Sequence, residues 1–284
     1  MSETLIVNTA WLQEHLHDAN LRIVDIRGHV APPTDPQPHY FNHRADYDIS
    51  HIAGAVFIDW VREITDPDDP QHAQLAKPNR FAQAMSRAGI GNDTFVVAYD
   101  DAQGMFAARL WLALNYYGHS HVAVLDGGWQ KWLTEQAPVT DTIPAISLSQ
   151  FDAKVQPNWV KSANDVFAVT NGTHEAKLLD ARSPAEFQGQ VSRARRKGHI
   201  PGALSLPRTA LMQPDGTLLP AEALRTQFAS LGVNDSSSNI ICYCNGGVSA
   251  SYELLALRRA GFKNSTVYDG SWKEWGNDDT RPIE

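Results

Sequence analysis

The 284-residue chain contains the same series of motifs twice, in the same order. Four strings of the first half match strings of the second half: LRIVDIR and AKLLDAR, HIAGA and HIPGA, VVAYD and IICYC, and VLDGGWQKW and VYDGSWKEW. The offset between matched residues falls from 155 for Asp25 and Asp180 to 143 for Trp129 and Trp272, so the first copy carries insertions. Ordered self-similarity of this kind indicates one structural unit repeated along the chain.

The duplication predicts two domains and a segment that connects them. We expect a first domain over residues 1–137 and a second over 160–284. Between them, residues 138–159 contain three prolines and little helical periodicity, which is typical of a linker. A chain of this length can form two domains that each bury a core of their own.

Within each copy, short apolar runs alternate with amphipathic helical patterns. In the second copy AKLLDAR and NIICYC are typical of strands, while AEALRTQFASLG and SASYELLALRRAG are typical of helices. Thr9 and Ser162 precede helical runs in the two copies and are the expected N-caps. The alternation predicts the α/β class, with two mainly parallel sheets that carry helices on both faces.

Cys244 stands where a strand pattern ends and a glycine-containing loop leads into a helix. Glycines allow a loop to turn its backbone N–H groups inward, and the helix start adds donors and the positive end of its dipole. We therefore expect a thiolate, and later a persulfide, to be held by the amides of Asn245, Gly246, Gly247, Val248, Ser249 and Ala250. Cys242 lies inside the strand pattern, which favours a buried and inert thiol.

The strings HIPGA, YCNGGVSA and YDGSWKEW, duplicated in this order, resemble the tandem-domain rhodanese family of sulfurtransferases. The resemblance covers nearly the whole chain and implies two rhodanese-like domains, of which the first is inactive. It identifies Cys244 as the catalytic cysteine and places Asp100 at the equivalent position of the first copy. It implies transfer of sulfur from a small anionic donor to a thiol or to cyanide, with no metal and no organic cofactor.

The residues around Cys244 leave the sulfur donor open between thiosulfate and 3-mercaptopyruvate. The uncharged Asn-Gly-Gly sequence matches neither group of relatives, although its lack of charge is closer to the mercaptopyruvate group. Glu186 stands where both groups commonly carry an arginine, and an acid there would repel the carboxylate of mercaptopyruvate. We therefore expect thiosulfate as the donor, with 3-mercaptopyruvate as the alternative.

Two other functions compete with sulfur transfer. Phosphatases that share the rhodanese fold carry an arginine six residues after the cysteine to bind the phosphoryl group. This chain has Ala250 at that position, which argues against phosphatase chemistry. A non-catalytic module that binds an anion or a protein remains the alternative of another class.

A further set of residues is predicted to line the substrate site. Some belong to the basic SRARRKGH segment, some to the second copy's other motifs, and two to the first copy: Arg182, Arg193, Arg195, Arg196, Ser271, Trp272, Phe106 and Arg109. For Arg182 a structural role is favoured, because the pair Asp180 and Arg182 recurs as Asp25 and Arg27 in the inactive copy.

Composition excludes several classes of partner. The net charge of −8 argues against nucleic acid and anionic membranes as partners. The two cysteines are separated by one residue, so they form no disulfide framework, and no ligand set is spaced like a zinc site. The first residues lack a basic start followed by an apolar run, so we expect a cytoplasmic protein.

Overall fold

The structure is a computed structural model that describes residues 4–234 and 239–284. Unit 1 consists of Met1–Pro67, Leu75–Gln156 and Pro214–Thr217, and unit 2 consists of Asp68–Gln74, Pro157–Gln213 and Leu218–Glu284. No helix within the described residues combines the length and the apolar character needed to cross a bilayer.

Most of the segment predicted as a linker packs within unit 1. Phe151 is buried and meets the Phe81 ring edge-on, with the ring centroids 5.7 Å apart. The Lys154 N–H donates to the carbonyl of Tyr117 over 2.9 Å. The prolines of this segment prevent a helix but not packing, so unit 1 continues as far as Gln156.

Unit 1 contains a five-stranded sheet whose strand pairs are all parallel, in the order β1-β8-β7-β2-β6, and two small antiparallel pairs, β3-β4 and β5-β9. Its elements are β1 (Ile6–Val7), α1 (Thr9–His15), β2 (Leu21–Asp25), β3 (Gly28–Val30), β4 (Tyr40–Asn42), α2 (Arg44–Ile49), β5 (His51–Ile52), β6 (Val56–Phe57), α3 (Pro78–Arg87), β7 (Phe95–Tyr99), α4 (Met105–Tyr116), β8 (Val122–Leu125), α5 (Gly128–Thr134) and β9 (Val139–Thr140).

Unit 2 repeats the five-stranded parallel sheet in the order β10-β14-β13-β11-β12. Its elements are β10 (Val160–Lys161), α6 (Ala163–Thr170), β11 (Lys177–Asp180), α7 (Pro184–Phe187), β12 (Leu204–Ser205), a 3₁₀ helix (Arg208–Leu211), α8 (Ala221–Ser230), β13 (Ile240–Tyr243), α9 (Val248–Arg259), β14 (Ser265–Tyr268) and α10 (Ser271–Trp275). The strands and helices predicted for the second copy are confirmed within a residue or two at each end.

The first helix of each unit begins at a polar cap. Ser162 caps α6 with a reciprocal pair of hydrogen bonds to Asp165, as predicted. The prediction for Thr9 is wrong by one residue, because Asn8 caps α1 by accepting the N–H of Trp11 over 2.8 Å. Thr9 instead begins the helix and is buried.

Candidate active site

Cys244 follows directly after β13, a central strand of the unit 2 sheet, and precedes α9 by a three-residue loop. Cys244 is buried, with a relative exposure of 4%. Gly247 caps α9 in the left-handed conformation, with a φ of 75°. Because glycine adopts this φ without steric cost, the chain can pass from the strand end into the helix within three residues.

The equivalent loop of unit 1 surrounds the buried carboxyl group of Asp100. The side chain of Asp100 accepts four backbone hydrogen bonds of 2.7–2.8 Å, from Ala102 and Gly104 on one oxygen and from Phe106 and Ala107 on the other. Burial raises the pKa of Asp100, and these N–H groups act against that rise. The loop and the first turn of α4 therefore form an anion cradle that this carboxyl fills from within.

The two loops are related by position. Gly104 and Gly247 both cap their helices with left-handed φ values, of 83° and 75°. Counted from these caps, the N–H groups of Ser249 and Ala250 correspond to two of the Asp100 donors. The unit 2 loop is one residue shorter, and it carries a thiol where unit 1 carries a carboxyl.

Ser271 anchors the cysteine loop from the start of α10. Its Oγ accepts the N–H of Cys244 over 3.2 Å and the N–H of Gly247 over 3.1 Å, and its hydroxyl donates to the carbonyl of Tyr268 over 2.7 Å. Ser271 has a φ of 53°, which is unfavourable for a residue with a side chain. The hydrogen bonds to the loop offset this local strain.

A chain of polar contacts also holds the second residue of the loop. The Asn245 side-chain amide donates to Oε1 of Glu186 over 2.7 Å. The other oxygen of Glu186 accepts the Ser183 hydroxyl, 2.8 Å away, in the capping box of α7. Glu186 thus joins a helix start to the cysteine loop, a contact that sequence reasoning missed because 59 residues separate Glu186 from Asn245.

Comparison with known proteins decides the family. Residues 8–135 and residues 164–278 each match the Rhodanese-like domain. The chain belongs to the rhodanese family. It is 32% identical to the sulfur carrier protein TtuD of Thermus thermophilus, over 96% of this chain and 94% of that protein. It is 33% identical to the 3-mercaptopyruvate sulfurtransferase of Escherichia coli, over 100% of this chain and 99% of that protein.

A solved structure agrees with these relatives. The crystal structure of SseA from Escherichia coli, described as a 3-mercaptopyruvate sulfotransferase, matches this fold with a TM-score of 0.83 at 32% identity. The match covers 95% of this chain and 99% of SseA. The predicted pair of α/β rhodanese domains is confirmed, and the protein is a sulfurtransferase of the rhodanese family.

Arg182 lies in the core of this rhodanese. Its guanidinium donates to both oxygens of Asp180 and, over 2.9 Å, to the carbonyl of Gly198. Burial acts to lower the pKa of Arg182, but the Asp180 carboxylate outweighs it, so the pKa is raised. In unit 1 the pair Arg27 and Asp25 forms the same bonds. These contacts and the 0% exposure of the Arg182 side chain assign it to the fold rather than to the substrate.

One arginine of the basic segment is also committed to the fold. The Arg196 guanidinium donates to the carbonyls of Trp275, Gly276, Asp278 and Arg281, where α10 ends. A cation there interacts favourably with the helix dipole. Because its guanidinium is engaged by these backbone carbonyls, Arg196 has a structural role, whereas the sequence predicts that it binds the substrate.

Arg195 points to solvent and forms an ion pair of 2.8 Å with Asp279, and its side chain is 60% exposed. Its guanidinium also donates to the backbone carbonyl of Asn277. Arg193 is half-buried. The predicted contacts of Arg193 and Arg195 with the donor stay predictions.

Three further residues predicted to line the substrate site are buried in this structure. Trp272 is fully buried, and the Arg182 guanidinium lies 4.6 Å from the centroid of its ring. Phe106 is fully buried in unit 1 against the Trp60 ring, with centroids 4.4 Å apart. Arg109 is 1% exposed on α4. The predicted contacts of these three residues with a donor stay predictions.

Within the described ranges, 4–234 and 239–284, no group of three or more histidine, cysteine or acidic side chains could hold a metal ion. Both cysteines are unpaired thiols. Burial, together with the nearby Glu253 carboxyl, holds the pKa of the Cys242 thiol well above its usual value. This agrees with the expectation that Cys242 is inert.

The Ser271 hydroxyl yields a testable prediction. Ser271→Ala removes the acceptor of two buried N–H groups and is expected to cost about 1–3 kcal/mol of stability. Because those groups position the Cys244 loop, we also expect sulfur-transfer kcat to fall about tenfold, an order of magnitude for a loosened catalytic residue. Steady-state thiocyanate formation measures kcat, and urea unfolding measures stability.

Ser265→Ala is the matched control for this prediction. Ser265 is also buried in unit 2, and its hydroxyl donates to the carbonyl of Phe262 over 2.8 Å, away from the loop. This variant should lose stability but keep kcat. Equal losses of kcat in both variants would show that Ser271 acts only through general stability.

Proposed function

We propose that the protein moves a sulfane sulfur from thiosulfate to a thiol or cyanide through a persulfide on Cys244. The Cys244 thiolate attacks the outer sulfur of thiosulfate, and the S–S bond of the donor breaks, so that sulfite leaves with the electron pair. Cyanide then attacks the outer sulfur of the persulfide. Thiocyanate leaves and the thiolate is restored, so each half-reaction conserves charge and needs no oxidant.

The observation that carries this proposal is the filled anion cradle of unit 1. The Asp100 carboxyl shows that this type of loop, at the start of this type of helix, can surround one acceptor group with four N–H donors. In unit 2 a thiol takes that position, so the N–H groups of Ser249 and Ala250, which correspond to two of these donors, would hold the thiolate and then the terminal sulfur of the persulfide. A non-catalytic module that only binds an anion or a protein would have no chemical need for a cysteine at position 244.

The position of Glu186 supports thiosulfate as the donor. Thiosulfate is compact, and its charge lies next to the sulfur that is transferred. In mercaptopyruvate the carboxylate is separated from the sulfur by three bonds and needs a cation of its own. Relatives commonly place an arginine where this chain has Glu186, whose carboxyl is bound to Ser183 and Asn245. 3-Mercaptopyruvate is the second candidate, favoured by the name of the Escherichia coli relative.

Intact-protein mass spectrometry tests this function. After incubation with thiosulfate and removal of the donor, we expect one added sulfur atom, which cyanide then removes as thiocyanate. Cys244→Ser should acquire no sulfur, and Cys242→Ser should still acquire one, because Cys242 is fully buried. Loading by 3-mercaptopyruvate alone would contradict the donor assignment. No adduct with either donor, or an adduct that persists in Cys244→Ser, would contradict the mechanism.

A further inference from the structure

We propose that Lys273 supplies the positive charge that the Cys244 loop lacks, and that this charge selects a doubly charged sulfur donor. The inference rests on the proposed function, because it concerns the donor of that same site. Residues 245–250 contain no basic side chain, and the arginines 195 and 196 of the basic segment bind elsewhere in the fold. The cation that packs directly on the loop comes instead from α10.

Lys273 is fastened to the loop by backbone and side chain. Its N–H donates to the carbonyl of Asn245 over 3.0 Å. Its Cε lies 3.0 Å from the position that a Cβ on Gly246 would take. A side chain at position 246 would therefore compete for the space that the lysine stem fills. Lys273, which belongs to α10, therefore places a positive charge next to Gly246, which has no side chain of its own.

Residues 68–74 hold the ammonium in place. The Nζ of Lys273 donates to the carbonyl of His72, and the next residue, Ala73, also packs against Gly246, with its Cα 3.2 Å from the same Cβ position. Burial acts to raise the pKa of Asp69 in this segment. Backbone N–H groups and, to a smaller extent, the Lys273 charge lower it below its usual value. An ionised carboxylate nearby favours the charged form of a buried lysine.

The duplication supports a role specific to the sulfur-transferring half. Trp129 and Trp272 are equivalent, and the next residue is Gln130 in unit 1 and Lys273 in unit 2. Gln130 is exposed and donates to the carbonyl of Asp101. Lys273 is 5% exposed. Burying a lysine costs free energy, and the fold of unit 1 does without one, so the charge serves the loop rather than the architecture.

Two donors that differ by one charge separate this role from a structural one. Thiosulfate carries two negative charges, and methanethiosulfonate carries one and releases methanesulfinate when its sulfur is transferred. We expect Lys273→Met to raise the KM for thiosulfate about tenfold more than the KM for methanethiosulfonate, the order of a single partly screened charge contact. Lys273→Arg should keep the wild-type ratio of the two KM values within about twofold, because it keeps the charge.

Further variants keep the test decisive. Lys273→Gln carries the unit 1 residue and retains a donor for the His72 carbonyl, so it replaces Lys273→Met if that protein does not fold. Lys263→Met removes an exposed lysine of unit 2 and should leave the KM ratio unchanged. Added salt should weaken the thiosulfate preference of the wild type more than that of Lys273→Gln.

The results distinguish failure of this inference from failure of the proposed function. If both KM values change by the same factor in Lys273→Met and Lys273→Gln, Lys273 has only a structural role and the inference is wrong. If wild-type protein acquires sulfur from neither donor, the proposed function fails before the question of selectivity arises.

Discussion

Replacing Arg182 by methionine is expected to lower the free energy of unfolding of unit 2 by about 3–5 kcal/mol. The substitution leaves the carboxylate of Asp180 buried without its partner and leaves the carbonyl of Gly198 without a donor. Removing one member of a buried ion pair costs more than the pair contributes, because the remaining charge stays out of water. The side chains of both residues are 0% exposed, so solvent cannot compensate.

Both cysteines lie in unit 2, which allows its unfolding to be followed separately. In a Cys244→Ser background, Cys242 becomes open to pulse alkylation only when unit 2 unfolds, because the residue is fully buried. We expect Arg182→Met to shift the urea midpoint of this labelling strongly downwards.

Arg27→Met is the matched variant, since Arg27 forms the same pair with Asp25 in unit 1. It should leave the Cys242 labelling midpoint far less affected. A shift equivalent to less than about 1 kcal/mol in Arg182→Met would contradict the assignment of Arg182 to the core, since exposed pairs contribute only that much.

The stability of unit 2 is expected to fall as the pH rises above the ordinary range of a glutamate, because of Glu253. Glu253 is fully buried on α9, and this burial holds the pKa of its carboxyl well above the usual value. The hydrogen bond with the Cys242 thiol lowers this pKa, and the charge of Asp180 raises it. In unfolded chains the carboxyl has its ordinary pKa of about 4.5. Between that pH and the raised folded pKa, only the folded state keeps the proton.

The sign follows from proton binding. The stabilisation from the protonated carboxyl is complete below the unfolded pKa and is lost as the pH rises through the folded pKa. Over that window this group lowers the free energy of unfolding by up to about 1.4 kcal/mol per pH unit. Glu253→Gln removes the titrating group and should flatten the pH dependence by that amount. Cys242 labelling in urea at a series of pH values measures the slope.

The equivalent position of unit 1 suggests a second substitution that tests the role of Glu253. Counted from the helix caps, Leu110 occupies the position of Glu253, and it is fully buried. Glu253→Leu should therefore be accommodated and should raise stability near neutral pH. Glu222→Gln changes an exposed carboxyl of α8 and serves as the control. Equal slopes in wild type and Glu253→Gln would show that Glu253 is not the group responsible.

The two units share the residues that maintain the fold and differ in residues that lie beside Cys244. Residues that recur, such as Asp25 and Asp180 with their arginines, are buried ion pairs in both units. Residues next to Cys244, in contrast, differ between the two units. Gly128 could not become a serine in unit 1, since its Cβ would stand 2.4 Å from the carbonyl oxygen of Asp100. In unit 2 the equivalent Ser271 binds the loop.

The sequence alone was sufficient for the α/β fold class, the repeated sheet and the position of Cys244 between a strand and a helix. These features depend on local patterns: apolar periodicity, capping residues and glycines close to the residues that they affect. The duplication strengthened them, because each pattern could be recognised twice. The predicted sulfur-binding role of the 245–250 amides remains a proposal, supported by the Asp100 cradle.

Only the tertiary structure decided which charged side chains lie against the Cys244 loop. The sequence predicts that arginines of the basic segment compensate the charge of the donor. In the structure Arg195 and Arg196 bind other partners, and Lys273 packs against Gly246. Glu186 is far along the chain from the loop but is bound to Asn245. The physical reason is that strand and helix patterns are set by near neighbours, whereas the field at Cys244 comes from side chains that meet only after folding.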